Sequence, residues 1–204
     1  MTARTLGTLL ALGIVPGLAD VSSAQPGIVD RFESDSALHR AAHLGDVVSL
    51  QRELDAETGP NAINRFGVTP LSLACTGGHV EAITLLLNAG ADPNHASPSG
   101  ETPLMVAART GVIDSVVALL AHGADPLARE SWMGQTALMW AAAERHADVI
   151  GPLVASGADV NSRTNSGFTP LMFATRLGHI ETVDALLDAG ADIHQTLPDG
   201  TSAL

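Results

Sequence analysis

One leucine recurs at near-constant interval along this chain: Leu38, Leu71, Leu104, Leu138, Leu171 and Leu204, in steps of 33, 33, 34, 33 and 33 residues. Four of them close a repeated phrase: Thr69-Pro70-Leu71, Thr102-Pro103-Leu104, Thr136-Ala137-Leu138 and Thr169-Pro170-Leu171. A period of this length excludes one globular core. It specifies small units in a row, each with an apolar face that only its neighbour can cover.

Residues 101–134 show how a unit is written. Thr102 can cap a helix whose first turn holds Pro103, where a missing N–H costs nothing. Leu104, Ala107 and Ala108 share one face, and the alanines let another helix come close. Gly111 ends this helix. A second opens at Val112-Ile113-Asp114, with Asp114 placed where the helix dipole favours an acid. Val116, Val117, Leu119 and Leu120 read as its apolar side. Gly123 supplies a left-handed stop, and a loop through Trp132-Met133-Gly134 projects before the next cap. The stops Gly90-Ala91-Asp92, Gly157-Ala158-Asp159 and Gly190-Ala191-Asp192 repeat the grammar, as do the acids Glu81, Asp148 and Glu181.

This grammar resembles the ankyrin repeat over residues 35–204. Gly134-Gln135-Thr136-Ala137, leading into Leu138-Met139-Trp140-Ala141-Ala142, resembles bacterial members. The resemblance implies an all-α ankyrin-repeat solenoid of stacked helix-turn-helix units with β-turn-like loops. The units fall at about 35–67, 68–100, 101–134, 135–167 and 168–200, with a partial unit at 201–204. A non-catalytic protein–protein interaction module follows, with a protein partner, no cofactor and no metal; a monomer is expected. The alternative is the recognition arm of a longer enzyme or membrane-anchored protein, and a third reading is a purely architectural spacer.

Several positions depart from the pattern. The family's Thr-Pro-Leu-His histidine survives only as His39; Ser72, Met105, Met139 and Met172 replace it, so apolar contact is expected instead of the usual hydrogen bond in four units. Pro152 is expected in the slot of Leu86, Leu119 and Leu186, with Gly151 beside it. An interior proline costs about 3 kcal/mol in a regular helix, so a kink or a short 3₁₀ segment is expected, either as a joint or as a local scar. The first unit ends its second helix with Glu53, Asp55 and Glu57, as suits an N-terminal cap facing water. No polar cap follows Thr201-Ser202-Ala203-Leu204, so a longer array is expected, the alternative being a frayed natural terminus.

Composition narrows the partner. Ten basic against 22 acidic residues give a formal charge of −12, which argues against nucleic acid or an anionic membrane, since both demand a positive footprint. The single cysteine, Cys75, stands where other units have Ala108, Ala142 and Thr175, and reads as a small core residue. Ahead of the array, Arg4, an apolar run from Leu6 to Val15 and two small-residue sites, after Ala19 and after Ala24, follow the order of a secretory signal peptide. Residues 1–24 are therefore expected to be a signal and 25–34 a linker. The mature array is then periplasmic or secreted, without direct membrane insertion; it is cytoplasmic if the segment stays as an apolar N-terminus.

No catalytic site is expected. His79, His146 and His179 precede second helices at equivalent positions and match the family's turn, where the ring bonds backbone groups. His39 and His43 have helical i, i+4 spacing, but no further ligand completes a zinc set. The resemblance places a partner on the loop tips and the exposed side of the first helices. Carried over by position, the candidates are Arg65, Phe66, Arg109, Thr110, Trp132, Met133, Glu144, Phe168 and Arg176. Trp132 reads equally as a contact residue and as a ring folded onto the next loop. Trp140, one register into a first helix, reads as interior. Arg65, Arg109, Arg129, Arg163 and Arg176 map to this side, either to grip carboxylates or carbonyls or to pair with nearby acids.

Overall fold

The computed structural model describes residues 36–56, 59–197 and 199–202. The expected signal segment and linker, Glu57 and Leu204 lie outside the described residues. Among those described are ten helices and no named strand; one antiparallel bridge joins Thr196 and Ser202. The helices come in pairs: α1 (Ala37–Leu44) with α2 (Val47–Asp55), α3 (Pro70–Gly77) with α4 (Val80–Asn88), and α5 (Pro103–Thr110) with α6 (Ile113–Ala121). Then follow α7 (Ala137–Ala143) with α8 (Ala147–Ala155) and α9 (Pro170–Leu177) with α10 (Ile180–Asp188). Each first helix packs on its own second helix and on the first helix of the next unit; second helices pack in a parallel row. This is an all-α repeat solenoid.

The repeated threonine starts each first helix. The side-chain oxygens of Ser36, Thr69, Thr102, Thr136 and Thr169 accept from the backbone N–H three residues on, at 3.3–3.5 Å. Such caps contribute about 1 kcal/mol each. Left-handed glycines end four of these helices, Gly45, Gly78, Gly111 and Gly178. In the fourth unit Arg145 stands there instead with φ 67°, the one non-glycine with positive φ among the described residues. Left-handed backbone brings Cβ against the carbonyl and costs an ordinary residue about 1–2 kcal/mol.

The leucine ladder is the core. Leu38, Leu71, Leu104, Leu138 and Leu171 are buried, with Ala41, Ala42, Ala74, Ala107, Ala108, Ala141, Ala142 and Ala174 between neighbouring first helices. Cutting one such leucine to alanine costs about 2–5 kcal/mol. The first unit is more open: Leu50 is the only buried residue of α2. Val117, expected on the apolar side of α6, faces solvent.

The short 3₁₀ segment expected at Pro152 is absent. α8 runs through the proline as nine α-helical residues, the length of α4, α6 and α10. The proline is not in the leucine slot. Leu153, wholly buried, is the seventh residue of its helix, as are Leu86, Leu119 and Leu186. Pro152 shares the half-buried rim position of Leu85, Ala118 and Ala185. Its missing N–H leaves the Asp148 carbonyl without that helical partner.

Candidate functional site

The histidines before the second helices are couplings between units. His79 Nε2 donates to the His43 carbonyl at 3.1 Å and His146 Nε2 to the Arg109 carbonyl at 2.9 Å. His179 uses Nδ1, at 3.2 Å from the Ala142 carbonyl. His39 Nδ1 meets Ser36 Oγ at 2.7 Å, and its Nε2 donates to the Val68 carbonyl at 3.1 Å. Ser72 keeps a polar lock, its hydroxyl 3.2 Å from that of Thr69. Apolar replacement of the histidine therefore affects three units, those of Met105, Met139 and Met172, rather than four.

Beside them runs a second set of bridges on the turn side. Asn61, Asn94 and Asn161 each donate from Nδ2 to a glycine carbonyl of the next unit, Gly90, Gly123 and Gly190. Each also accepts, at 2.7–2.8 Å, from the N–H of Asp92, Asp125 or Asp192. These paired bonds tie three of the four joints on the turn side, in addition to the contacts between loops.

The loop before α7 differs from the rest. At the register of Asn64, Ser97 and Thr164, whose side chains accept from loop N–H groups, stands Glu130. Its buried carboxylate accepts from Trp132 N at 2.6 Å, Met133 N at 2.7 Å and Gln135 N at 2.8 Å. The loop's extra residue therefore lies between Glu130 and Gln135, beyond the Arg129-Glu130 pair, and the longer side chain spans the enlarged turn. The Trp132 ring is not folded back: it is 82% exposed, with Met133 at 43% beside it. Asn165 N donates to the Met133 carbonyl and Asn165 Nδ2 to that of Trp132, which ties the tip to the next loop.

The arginines divide into two groups. Arg129 donates to the Gly134 and Arg163 carbonyls and Arg163 to the Thr196 carbonyl, so both join loop to loop rather than awaiting a ligand. The other three lie over aromatic rings: Arg65 over Phe66 at 4.7 Å, Arg109 over Trp140 at 5.0 Å and Arg176 over Phe168 at 5.8 Å. Trp140 is thus not interior. It is half-buried on this face, roofed by the guanidinium, with its indole N–H buried and without an acceptor. Phe168 also lies 5.6 Å from Phe173, centroid to centroid.

Of the other candidates, Phe66 is half exposed, Glu144 is exposed at the end of α7, and Thr110 directs its hydroxyl to the Ala107 carbonyl. The face thus brings together Arg109 with Trp140 and Arg176 with Phe168, while Arg65–Phe66 and Trp132–Met133 occupy separate tips. A cavity of about 390 Å³ is lined by Phe168, Met172, Thr175, Arg176 and the following loop. Sequence reasoning missed Glu130 as the organiser of its loop and Trp140 as a face residue. The signal for Glu130 was present: an acceptor at the equivalent positions Asn64, Ser97 and Thr164, and an inserted residue just after it.

Cys75 is wholly buried, and burial pushes its thiol far above the ordinary range, away from the reactive thiolate. Among the described residues no three His, Cys, Asp or Glu side chains gather for a metal, and no helix is long and apolar enough to cross a membrane.

The family model described as "Ankyrin repeats (3 copies)" matches residues 11–96, 38–130 and 127–196. Osteoclast-stimulating factor 1 of Gallus gallus is 37% identical over 60 residues, 29% of this chain and 30% of that protein. The Sus scrofa protein of the same name is 37% identical over 60 residues, 29% of this chain and 28% of that protein. The E3 ubiquitin-protein ligase XB3 of Oryza sativa subsp. japonica is 35% identical over 78 residues, 37% of this chain and 17% of that protein. The chain therefore spans less than a third of the length of these relatives.

Proposed function

The chain belongs to the ankyrin-repeat family, and from that membership we propose that it is a non-catalytic module whose protein partner docks on the face of loop tips and first helices. Arrays of this family generally mediate protein–protein interaction. The observation that carries the reading is Trp132, 82% exposed on a loop whose backbone is pinned by Glu130. A large ring held out in water on an ordered loop loses little freedom on binding and buries much area, which is the character of an interface anchor. Phe66 and Met133 extend the apolar tips, and Arg65, Arg109, Thr110, Glu144, Phe168 and Arg176 form the surface behind them.

Photo-crosslinking tests this. A benzoylphenylalanine at Thr110 or Glu144 should capture a protein from the native host, and capture should fail in Trp132→Ala. The same probe at Asp114 or Asp148, on the second helices, should capture nothing. The reverse pattern overturns the reading.

A second reading is the recognition arm of a longer enzyme or membrane-anchored protein. It draws on one observation: the matched segment is 28–30% of the osteoclast-stimulating factors and 17% of the ligase. Sequencing the full open reading frame decides it.

We also propose a bacterial origin and export directed by residues 1–24. The relatives above are animal and plant proteins, so this rests on the residue order of the leader and on the Gly134–Ala142 phrase alone. Mature protein recovered from periplasm and beginning at Gln25 supports it; protein retained in the cytoplasm with its leader intact rejects it.

A further inference from the structure

We propose that the docked partner segment is acidic and extended, with two carboxylates about five or six residues apart, one held by Arg109 and the other by Arg176. This rests on the docking face proposed above. Arg109 and Arg176 hold the same register, five residues after Leu104 and Leu171. In a chain of formal charge −12, neither forms an ion pair among the described residues; the two pairs found there are Arg52–Glu53 and Arg145–Glu181. Each guanidinium instead lies over a ring, Trp140 or Phe168. The ring attracts the cation and restrains its side chain. The guanidinium brings a fork of N–H donors that a carboxylate accepts with two parallel bonds. Ordering an arginine before its ligand arrives removes part of the cost that makes surface ion pairs weak.

The register sets the spacing. Arg109 and Arg176 stand two units apart, and neighbouring helices pack with axes about 8–10 Å apart, so the helices that carry the two forks lie about 16–20 Å apart. An extended chain advances about 3.3 Å per residue, which gives the five or six. Between them the equivalent position is Ala143, a small residue, followed by exposed Glu144. The segment's middle must therefore be neutral or basic, since an acid there would meet Glu144. The expected motif is acid, a non-acidic middle, acid. Partners with uniform negative charge, nucleic acid among them, are disfavoured by Glu144 and by the net charge of the chain.

Fluorescence anisotropy with the full chain and blocked, labelled decapeptides tests the proposal. The probes carry two Glu five or six residues apart in a Gly/Ala/Ser/Gln background; their controls carry Gln at both positions, or a third Glu midway. The Glu–Glu peptides should bind at least about tenfold more tightly than Gln–Gln, with the advantage shrinking as salt rises. Arg109→Gln or Arg176→Gln should remove most of that advantage, Arg109→Lys only part of it, and the midway Glu should weaken binding. Far-UV circular dichroism checks that each variant is folded. Equal binding of Glu–Glu and Gln–Gln, or undiminished Glu–Glu binding by folded Arg→Gln variants, overturns the acidic motif. If Gln–Gln binds equally and Thr110→Arg abolishes both, the docking face stands while the motif falls. If no peptide binds, the motif falls, and the crosslinking experiment decides the face separately.

Discussion

The joint between the second and third units and the joint between the third and fourth are held at different heights. In the former, Asn94 bridges the turn side to Gly123 and Asp125, but Val112 stands where a histidine pins other units. In the latter, His146 pins Arg109 and the loops are tied by Arg129 and Asn165, but the turn-side asparagine is Leu127, 53% exposed. Each joint lacks a different tie and both stay closed. The apolar stack of alanines and leucines sets how units approach, and the polar ties add to it locally, as expected where stability is nearly a sum over neighbouring units.

The sharpest way to break the contrast is at Glu130. Glu130→Ala leaves three loop N–H groups without their carboxylate and should cost about 3 kcal/mol in urea unfolding, most of it from the third-to-fourth joint. The same variant should lose the fixed presentation of Trp132, read as faster quenching of tryptophan fluorescence by iodide. A loss below about 0.5 kcal/mol would mean that the loop is held by Arg129 and Asn165 alone.

Swapping the turn-side residues exchanges the two joints' ties. Leu127 N already donates to Asp125 Oδ1, as Asn94 N does to Asp92 and Asn161 N to Asp159. The backbone at 127 is thus set for an asparagine, whose amide would reach the Gly157 carbonyl and the Asp159 N–H. Leu127→Asn should gain about 1 kcal/mol and Asn94→Leu should lose about as much, since these bonds are solvent-facing and hydrogen bonds contribute about 0.5–1.5 kcal/mol net. Thermal melts of both variants and of the double mutant check this. Opposite signs that cancel in the double show the tie to be a local property of its joint.

The fold was legible because it repeats. The leucine period, the Thr-Pro caps and the Gly stops recur often enough that the deviant copies, Ala37 and Ala137 for proline, mislead nobody. What was hidden lay in the deviations. Pro152 was placed in the leucine slot because the extra residue after Glu130 shifts every later register by one; counted from its own helix start, Leu153 fills that slot. The arginines looked alike in sequence, yet Arg129 and Arg163 reach backbone carbonyls while Arg109 and Arg176 reach rings. Three of the four partners lie in the next unit, Arg163 for Arg129, Thr196 for Arg163 and Trp140 for Arg109, while Arg176 turns back to Phe168 of its own unit; no local pattern separates these cases. Trp140 was read as interior because large aromatic rings are usually covered; here the cover is a guanidinium.

Arg145 tests whether a tie can be tuned from the unit it grips. A Cβ at Gly45 would come within 2.7 Å of the His79 ring, and one at Gly111 would strike the ring of His146. Arg145 carries that Cβ, and the histidine of the next unit, His179, is the one that bonds through Nδ1 to Ala142, one residue earlier than the equivalent of His43 and Arg109. Crowding by Cβ accounts for the turned ring. Arg145→Gly removes the crowding and the left-handed strain of about 1–2 kcal/mol, against about 0.5–1 kcal/mol for the added freedom of glycine in the unfolded chain. The Arg145–Glu181 pair lost with it is exposed, 4.0 Å long and worth little. The net gain should be about 0.5–1 kcal/mol, measured as a raised urea midpoint, and nitrogen-resolved NMR of His179 should show the protonated ring nitrogen moving from Nδ1 to Nε2. A stabilised variant whose ring keeps its Nδ1 bond would separate the two effects, leaving backbone strain intact as a cause and removing Cβ crowding as the reason this joint is pinned differently.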